Sequence, residues 1–359
     1  MDILREPIRG AAAWTGAELA QDRSWERQIT TDERTELEAE LTRLKSMGLT
    51  AFQAVDRSAI AAGSALRGLA RDITEAVKEG RGFVVAGGFP VEGHSDDEIR
   101  MMFWRLGLEL GTPVSQDRDC TLIADVKERH VQAPAGTRQY GGMREARLHV
   151  DLTDVVGLLC VRQAPSSPLS TMASAATLYN TIMAEHPDWL PRLYEGFQWD
   201  RMSEQAEGEA PVMPWKIPVF SYAGGQLSSR YHRGWIRAGA ARQGAPLSED
   251  EGAMLDYIDK TLAANALPFS MRPGDVYFAN NYTVLHGRAA YEEEPDWEEA
   301  AKRLLLRLWF NIPNIRSFDD EGTMRFGGIR HGNLGWTSQE LAAGQNRTPG
   351  AVRVFCEAQ

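Results

Sequence analysis

The stretch Arg147-Leu148-His149-Val150-Asp151-Leu152-Thr153-Asp154-Val155-Val156 alternates polar and apolar residues up to Leu152, the period of a half-buried strand, then enters the apolar run Val155 to Val161. On a strand, His149 and Asp151 point to one face, about 6.6 Å apart along the chain. One imidazole nitrogen and one carboxylate oxygen then converge on one point, a donor pair suited to a divalent metal with nitrogen and oxygen ligands. Two other histidines are followed two residues on by aspartate, His94/Asp96 and His186/Asp188. Both have local explanations. Ser95 reads as a helix N-cap with Glu98 closing a capping box. His186 is followed by Pro187, and Asp188 reads as the cap of the next helix. Only His149/Asp151 stands on a strand pattern.

A catalytic non-heme iron needs a third ligand on the same face, and two histidines with one carboxylate is the expected set. His286 is the best placed, closing the strand-like segment Val276 to His286. His232 and His331 are rivals, and His286 alone also reads as a polar residue at a strand end. Lys302-Arg303-Leu304-Leu305-Leu306-Arg307-Leu308-Trp309-Phe310 follows. On a strand Arg303 and Arg307 share a face among apolar neighbours. A buried arginine without an internal acid is costly, which points to a bound anion, unless the acids between Glu292 and Glu299 pair with it.

Upstream, helices are expected from Thr31 to Gly48 (Leu37, Leu41, Leu44), from Ser64 to Lys78 (Leu66, Leu69, Ile73, Val77) and from Asp96 to Leu110. A buried strand, residues 82–86, lies among them, and Trp14 and Trp25 read as clasps onto the body. Downstream, 112–131 and 139–161 read as strands with loops, and Ala173 to Glu185 as a helix. The acidic segment Met202 to Trp215 reads as a solvated or lid-like loop carrying Glu204, Glu207 and Glu209. A hairpin of 217–222 and 226–232 turns at Gly224-Gly225. Ser248 and Glu251 form a capping box for a helix to Ala264. With no linker or repeat, a single domain is expected over 1–359: a helical layer (1–80), a core (about 80–315) and a C-terminal tail (316–359).

The net charge of −11 argues against nucleic acid. No apolar run approaches the roughly 20 residues of a membrane span, and no signal peptide is visible. Cys120, Cys160 and Cys356 are widely spaced and read as reduced thiols of a cytoplasmic protein. Whether copies of the chain form a homo-oligomer is left open.

His149-Val150-Asp151, His286 and Arg303 to Trp309, in that order, resemble the taurine/2,4-D dioxygenase (TauD/TfdA) group of Fe(II)/2-oxoglutarate oxygenases. Ser170-Thr171-Met172-Ala173-Ser174-Ala175 is similar to the family's segment whose threonine touches 2-oxoglutarate. The resemblance implies a mainly β fold with flanking helices around a double-stranded β-helix (jelly-roll) core. It implies iron on His149, Asp151 and His286, and the distal carboxylate of 2-oxoglutarate on Arg303 and Thr171. Arg307 would meet the co-substrate or an acidic group of the substrate. Arg230, on a strand expected to line the same core, would meet a substrate carboxylate or make a surface ion pair. The implied reaction is hydroxylation of an unactivated C–H bond of a small molecule, with O2 and 2-oxoglutarate converted to succinate and CO2. Desaturation or cyclisation is the alternative within the class. A non-catalytic jelly-roll binding protein or a zinc hydrolase is the alternative outside it. The family's pattern is departed from twice: His286 and Arg303 are more widely spaced, and Pro168-Leu169-Ser170 replaces the Gly-Gly before the threonine.

Overall fold

The computed structural model describes residues 3–61, 63–128, 142–319, 324 and 334–347. An N-terminal segment carries α1 (Gly16–Gln21) and a short strand β1 (Glu26–Gln28). Three helices, α2 (Thr31–Ser46), α3 (Ser64–Lys78) and α4 (Asp96–Leu110), surround β2 (Phe83–Gly87). Strands β3 (Thr112–Val114), β4 (Ile123–Val126), β5 (Ala146–His149), β6 (Val155–Arg162) and β7 (Ser170–Ser174) follow. Next come α5 (Ala175–Glu185), α6 (Leu190–Glu195), the hairpin β8 (Phe220–Ala223) and β9 (Gln226–Ser229), α7 (Arg233–Arg242) and α8 (Glu249–Ala264). The last strands are β10 (Leu267–Phe269), β11 (Val276–Asn280), β12 (Val284–Arg288) and β13 (Leu304–Asn311).

Two sheets face each other. The larger runs β1-β2-β11-β6-β13-β3, with β4 sharing the β13 edge, and the smaller runs β10-β7-β12-β5. Strand periodicity divides the core into two layers. Phe83, Val85, Leu305 and Trp309 join Met172 and Val284 between the sheets, whereas Val84, Ala86, Leu304, Leu306 and Leu308 pack beneath α2 to α4. Gly107 lets α4 approach β13 closely, since a Cβ there would lie 2.3 Å from Leu308. The expected mainly β, jelly-roll architecture is therefore present, as two facing sheets that share no strand among the described residues rather than as a closed barrel. No described helix is long and apolar enough to cross a membrane.

The helix starts follow local chemistry. Thr30/Glu33, Ser95/Glu98 and Ser248/Glu251 all form reciprocal capping boxes. Trp14 and Trp25 clasp the body as expected, packing in tilted contacts on Phe83 with centroids 5.2 and 5.8 Å away.

The β segments differ more from the expectations. The expected strand Val276 to His286 breaks at residues 281–283, so β11 joins the large sheet and β12 the small one. Strand β5 stops at His149, and Asp151 lies in the segment that crosses between the sheets. Residues 170–174 form a strand, and the helix expected from Ala173 begins at Ala175. The second hairpin strand ends at Ser229, and His232 instead caps α7. The segment Met202 to Trp215 is tied down at its neck: Asp200 and Val212 form a bridge, and Met213 donates its N–H to Trp199 O. Glu204, expected to be solvated, is buried and accepts the Arg118 N–H.

The crossing segment is held by Asp154, which is fully buried. Its carboxylate accepts the Tyr282 hydroxyl at 2.8 Å and the Ile312 N–H at 3.0 Å. Asp154→Ala is expected to lower stability by about 1–3 kcal/mol for each buried donor it strands. A lower urea midpoint with an unchanged m-value would show it.

Candidate metal centre

The ladder between β12 and β5 sets His286 directly opposite His149, with ring centroids 4.7 Å apart. Asp151 follows where the chain leaves β5, and its N–H donates to Asn281 Oδ1 at 2.9 Å. Asn281 lies in the turn separating β11 from β12, so the break in the expected strand also fixes the carboxylate. His286 Nε2 is 3.6 Å from Asp151 Oδ2, and one donor atom from each of the three residues lies within 4.8 Å of the other two. A single ion can therefore reach all three.

His149 is prepared as a neutral donor. Its Nδ1 sits 2.7 Å from Arg147 O, which assigns the proton to Nδ1 and leaves Nε2 for a metal. Burial, then the neighbouring His286, pushes its pKa down to about 4. Two imidazoles with one carboxylate fit an iron(II) ion and leave its remaining positions to small ligands.

The acid is itself supported. Trp309 Nε1 donates to Asp151 Oδ2 at 3.0 Å, and Arg307 Nη1 approaches the same oxygen at 3.4 Å. Arg307 Nε donates to Gln116 Oε1 at 2.7 Å, while Gln116 Nε2 donates to Leu122 O and Arg307 O. Trp309→Phe keeps an aromatic ring, though a smaller one, and deletes the donor. Metal affinity should fall about tenfold, the lower end of what outer-sphere partners cost, as read by calorimetric titration with Mn(II).

Arg303 is only 2% exposed, between the sheets. Its Nε donates to Gln163 Oε1 at 3.1 Å, and its guanidinium lies 5.5 Å from the Tyr291 ring centroid. Among the described residues no carboxylate pairs with that guanidinium: Glu293, one of the acids considered as a partner, accepts the main-chain N–H of Arg303 instead. Burial pushes the Arg303 pKa down. The Arg288 guanidinium lies 4.6 Å from the same ring centroid, and burial, then Arg303, pushes its pKa down to about 10.

Thr171 pairs with Gly287, the residue after His286, and its hydroxyl lies 3.0 Å from where a Gly287 Cβ would stand. Arg230 is fully buried and donates to Met324 O and Asp151 O, both at 2.7 Å, which makes it a brace behind the ligand segment. His232 stands beside His149, with ring centroids 5.0 Å apart, but outside the three-donor set. His331 lies outside the described residues. In the sequence Gln116, Asn281 and Tyr291 do not stand out, and Trp309 does so only as part of the arginine strand. None carries a spacing signal, since each reaches the site only through the tertiary fold.

The family described as "Taurine catabolism dioxygenase TauD, TfdA family" matches residues 48–309, and the chain belongs to that family. It is 30% identical to the FR-33289 synthase of Streptomyces rubellomurinus over 323 residues, 89% of this chain and 94% of that protein. Its fold is similar to that of an asparagine oxygenase solved with Fe(II), 2S,3S-3-hydroxyasparagine and succinate (TM-score 0.61, 17% identity, 80% of this chain and 93% of that one). It is also similar to the non-heme iron oxygenase OrfP solved with Fe and α-ketoglutaric acid (TM-score 0.58, 16% identity, 80% and 93%).

Proposed function

We propose that this protein is an Fe(II)- and 2-oxoglutarate-dependent dioxygenase that hydroxylates an unactivated C–H bond of a small molecule. The observation that carries the reading is the convergence of His149, Asp151 and His286 within 4.8 Å, with the buried cations Arg307 on β13 and Arg303 immediately before it. His149, Asp151 and His286 hold the iron. Arg303, with Thr171, holds the distal carboxylate of 2-oxoglutarate, and Arg307 meets the co-substrate or an acidic group of the substrate. When bound, the iron and 2-oxoglutarate supply the oxidising chemistry: O2 places one oxygen in succinate and one in the product, and CO2 leaves.

The chain's residues do the positioning. Trp309 and Arg307 hold Asp151 from one side, and Arg230 braces its main chain from behind. Leu305 and Tyr277 help to keep the interior apolar and dry, which protects reactive species from water. The asparagine oxygenase and OrfP structures were solved with hydroxylated amino acids, which supports hydroxylation of a compact polar molecule here. We read the chain as one catalytic domain, with 1–80 as a helical layer and 316–359 as a tail. The free thiol at Cys160 supports a cytoplasmic setting.

The test is anaerobic loading with Fe(II) and 2-oxoglutarate, exposure to O2, and a screen of amino acids and small acids. Succinate should form with iron and not with zinc, and in step with a product heavier by one oxygen. Succinate no higher than in a His149→Ala background would overturn the proposal.

A further inference from the structure

His232 is absent from the three-donor set yet is built into its flank. Its ring meets that of His149 at 5.0 Å and 61°, and lies on Trp235 at 4.8 Å and 27°. Trp199, fully buried, backs the pair, with its ring 5.9 Å from Trp235 and 6.4 Å from His232. As the N-cap of α7, His232 directs Nδ1 to the Trp235 N–H at 3.4 Å, which fixes the roll of its ring.

The segment carrying His232 is latched to the metal-ligand segment from two sides. Val150, between the two ligands, donates its N–H to Tyr231 O at 3.0 Å. On α8, Asp259 accepts from the Tyr231 hydroxyl at 2.8 Å, from Arg233 at 3.1 Å and from Arg147 at 3.2 Å. Arg147 is also the residue whose carbonyl meets His149 Nδ1. One carboxylate thus ties both neighbours of His232 to the strand that ends at His149.

Such construction has a mechanical consequence. His149 is the last residue of β5, and a hydrogen bond at Nδ1 fixes one atom of its ring while leaving the ring free to swing about that bond. The His286 ring bears on it at 4.7 Å, and a further ring at 5.0 Å, held by a separate segment, removes the remaining swing. Resting on the metal-centre reading above, we propose that His232 is a positioning residue of the metal centre: its ring holds His149 in the plane from which Nε2 addresses the ion. It is not a ligand, because its Nδ1 caps α7 and its donors lie outside the cluster.

The cap and the ring can be separated by substitution. His232→Asn keeps a good N-cap and removes the ring. His232→Phe keeps a ring and removes the cap. Each full-length variant would be titrated with Co(II) and followed by visible absorption, with thermal melting alongside. His232→Asn should bind Co(II) about tenfold more weakly, with altered ligand-field bands, while melting near the wild type. His232→Phe should keep wild-type affinity and bands even if it melts earlier. Wild-type binding by His232→Asn would overturn the proposal, as would loss of binding in both variants or in His232→Phe alone. His149→Ala is the control on the reading beneath: if it binds Co(II) like the wild type, the metal centre itself is misassigned, whatever the His232 variants do.

Discussion

His286→Ala is expected to abolish iron binding and turnover while leaving a folded protein. The imidazole is one of three donors, and its removal leaves only His149 and Asp151 to hold the ion. The loss should therefore exceed the 10- to 100-fold that removal of an outer-sphere partner costs. Folding should survive because β12 is paired on both sides, by β5 and β7, through main-chain bonds that alanine retains. His149→Ala and Asp151→Ala should behave alike. Asp151→Ala should also strand the Trp309 N–H and leave Arg307 without its acid. The measurements are metal content after anaerobic loading and 2-oxoglutarate turnover. Retention of both by His286→Ala, together with their loss in His331→Ala or His232→Ala, would move the third ligand to that histidine.

The second large effect is expected at Arg303. Removing one member of a buried charge pair costs about 3–5 kcal/mol, because the partner is left charged and uncompensated. At about 1.4 kcal/mol per decade, Arg303→Ala should weaken 2-oxoglutarate binding by about two to three and a half orders of magnitude. Arg303→Lys should recover only part, since an ammonium cannot present a planar fork to a carboxylate. It would also lose the geometry in which Nε engages Gln163 at 3.1 Å. Titration of the Mn(II)-loaded protein with 2-oxoglutarate reads this without turnover. Unchanged binding in Arg303→Ala would transfer the role to Arg307, whose guanidinium already leans on the metal carboxylate.

What the sequence determined by itself is what short stretches encode. Thr30/Glu33, Ser95/Glu98 and Ser248/Glu251 specify helix starts within four residues, because donor and acceptor belong to the same turn. The stripe Leu66, Leu69, Ile73 and Val77 assigns α3 its buried face from its spacing alone. His149, Asp151, His286 and Arg303 were visible as candidates because each sits in or beside an apolar strand pattern, and their order matched one family.

Tertiary structure decided how those candidates meet. Residues 281–283 look like a continuation of a strand, but they carry the chain from one sheet to the other, and Asn281 is thereby brought to the Asp151 N–H. Arg230 and Arg307 look alike in sequence, as cations among apolar neighbours. Burial among main-chain carbonyls makes one a brace, while the pleat of β13 turns the other toward Asp151. His232 could be set against His149 only by folding, because β9 ends early and the Val150–Tyr231 bond draws two distant segments together. Partners across a sheet are chosen by register and crossing, which depend on the whole chain, whereas caps and stripes depend on a single turn.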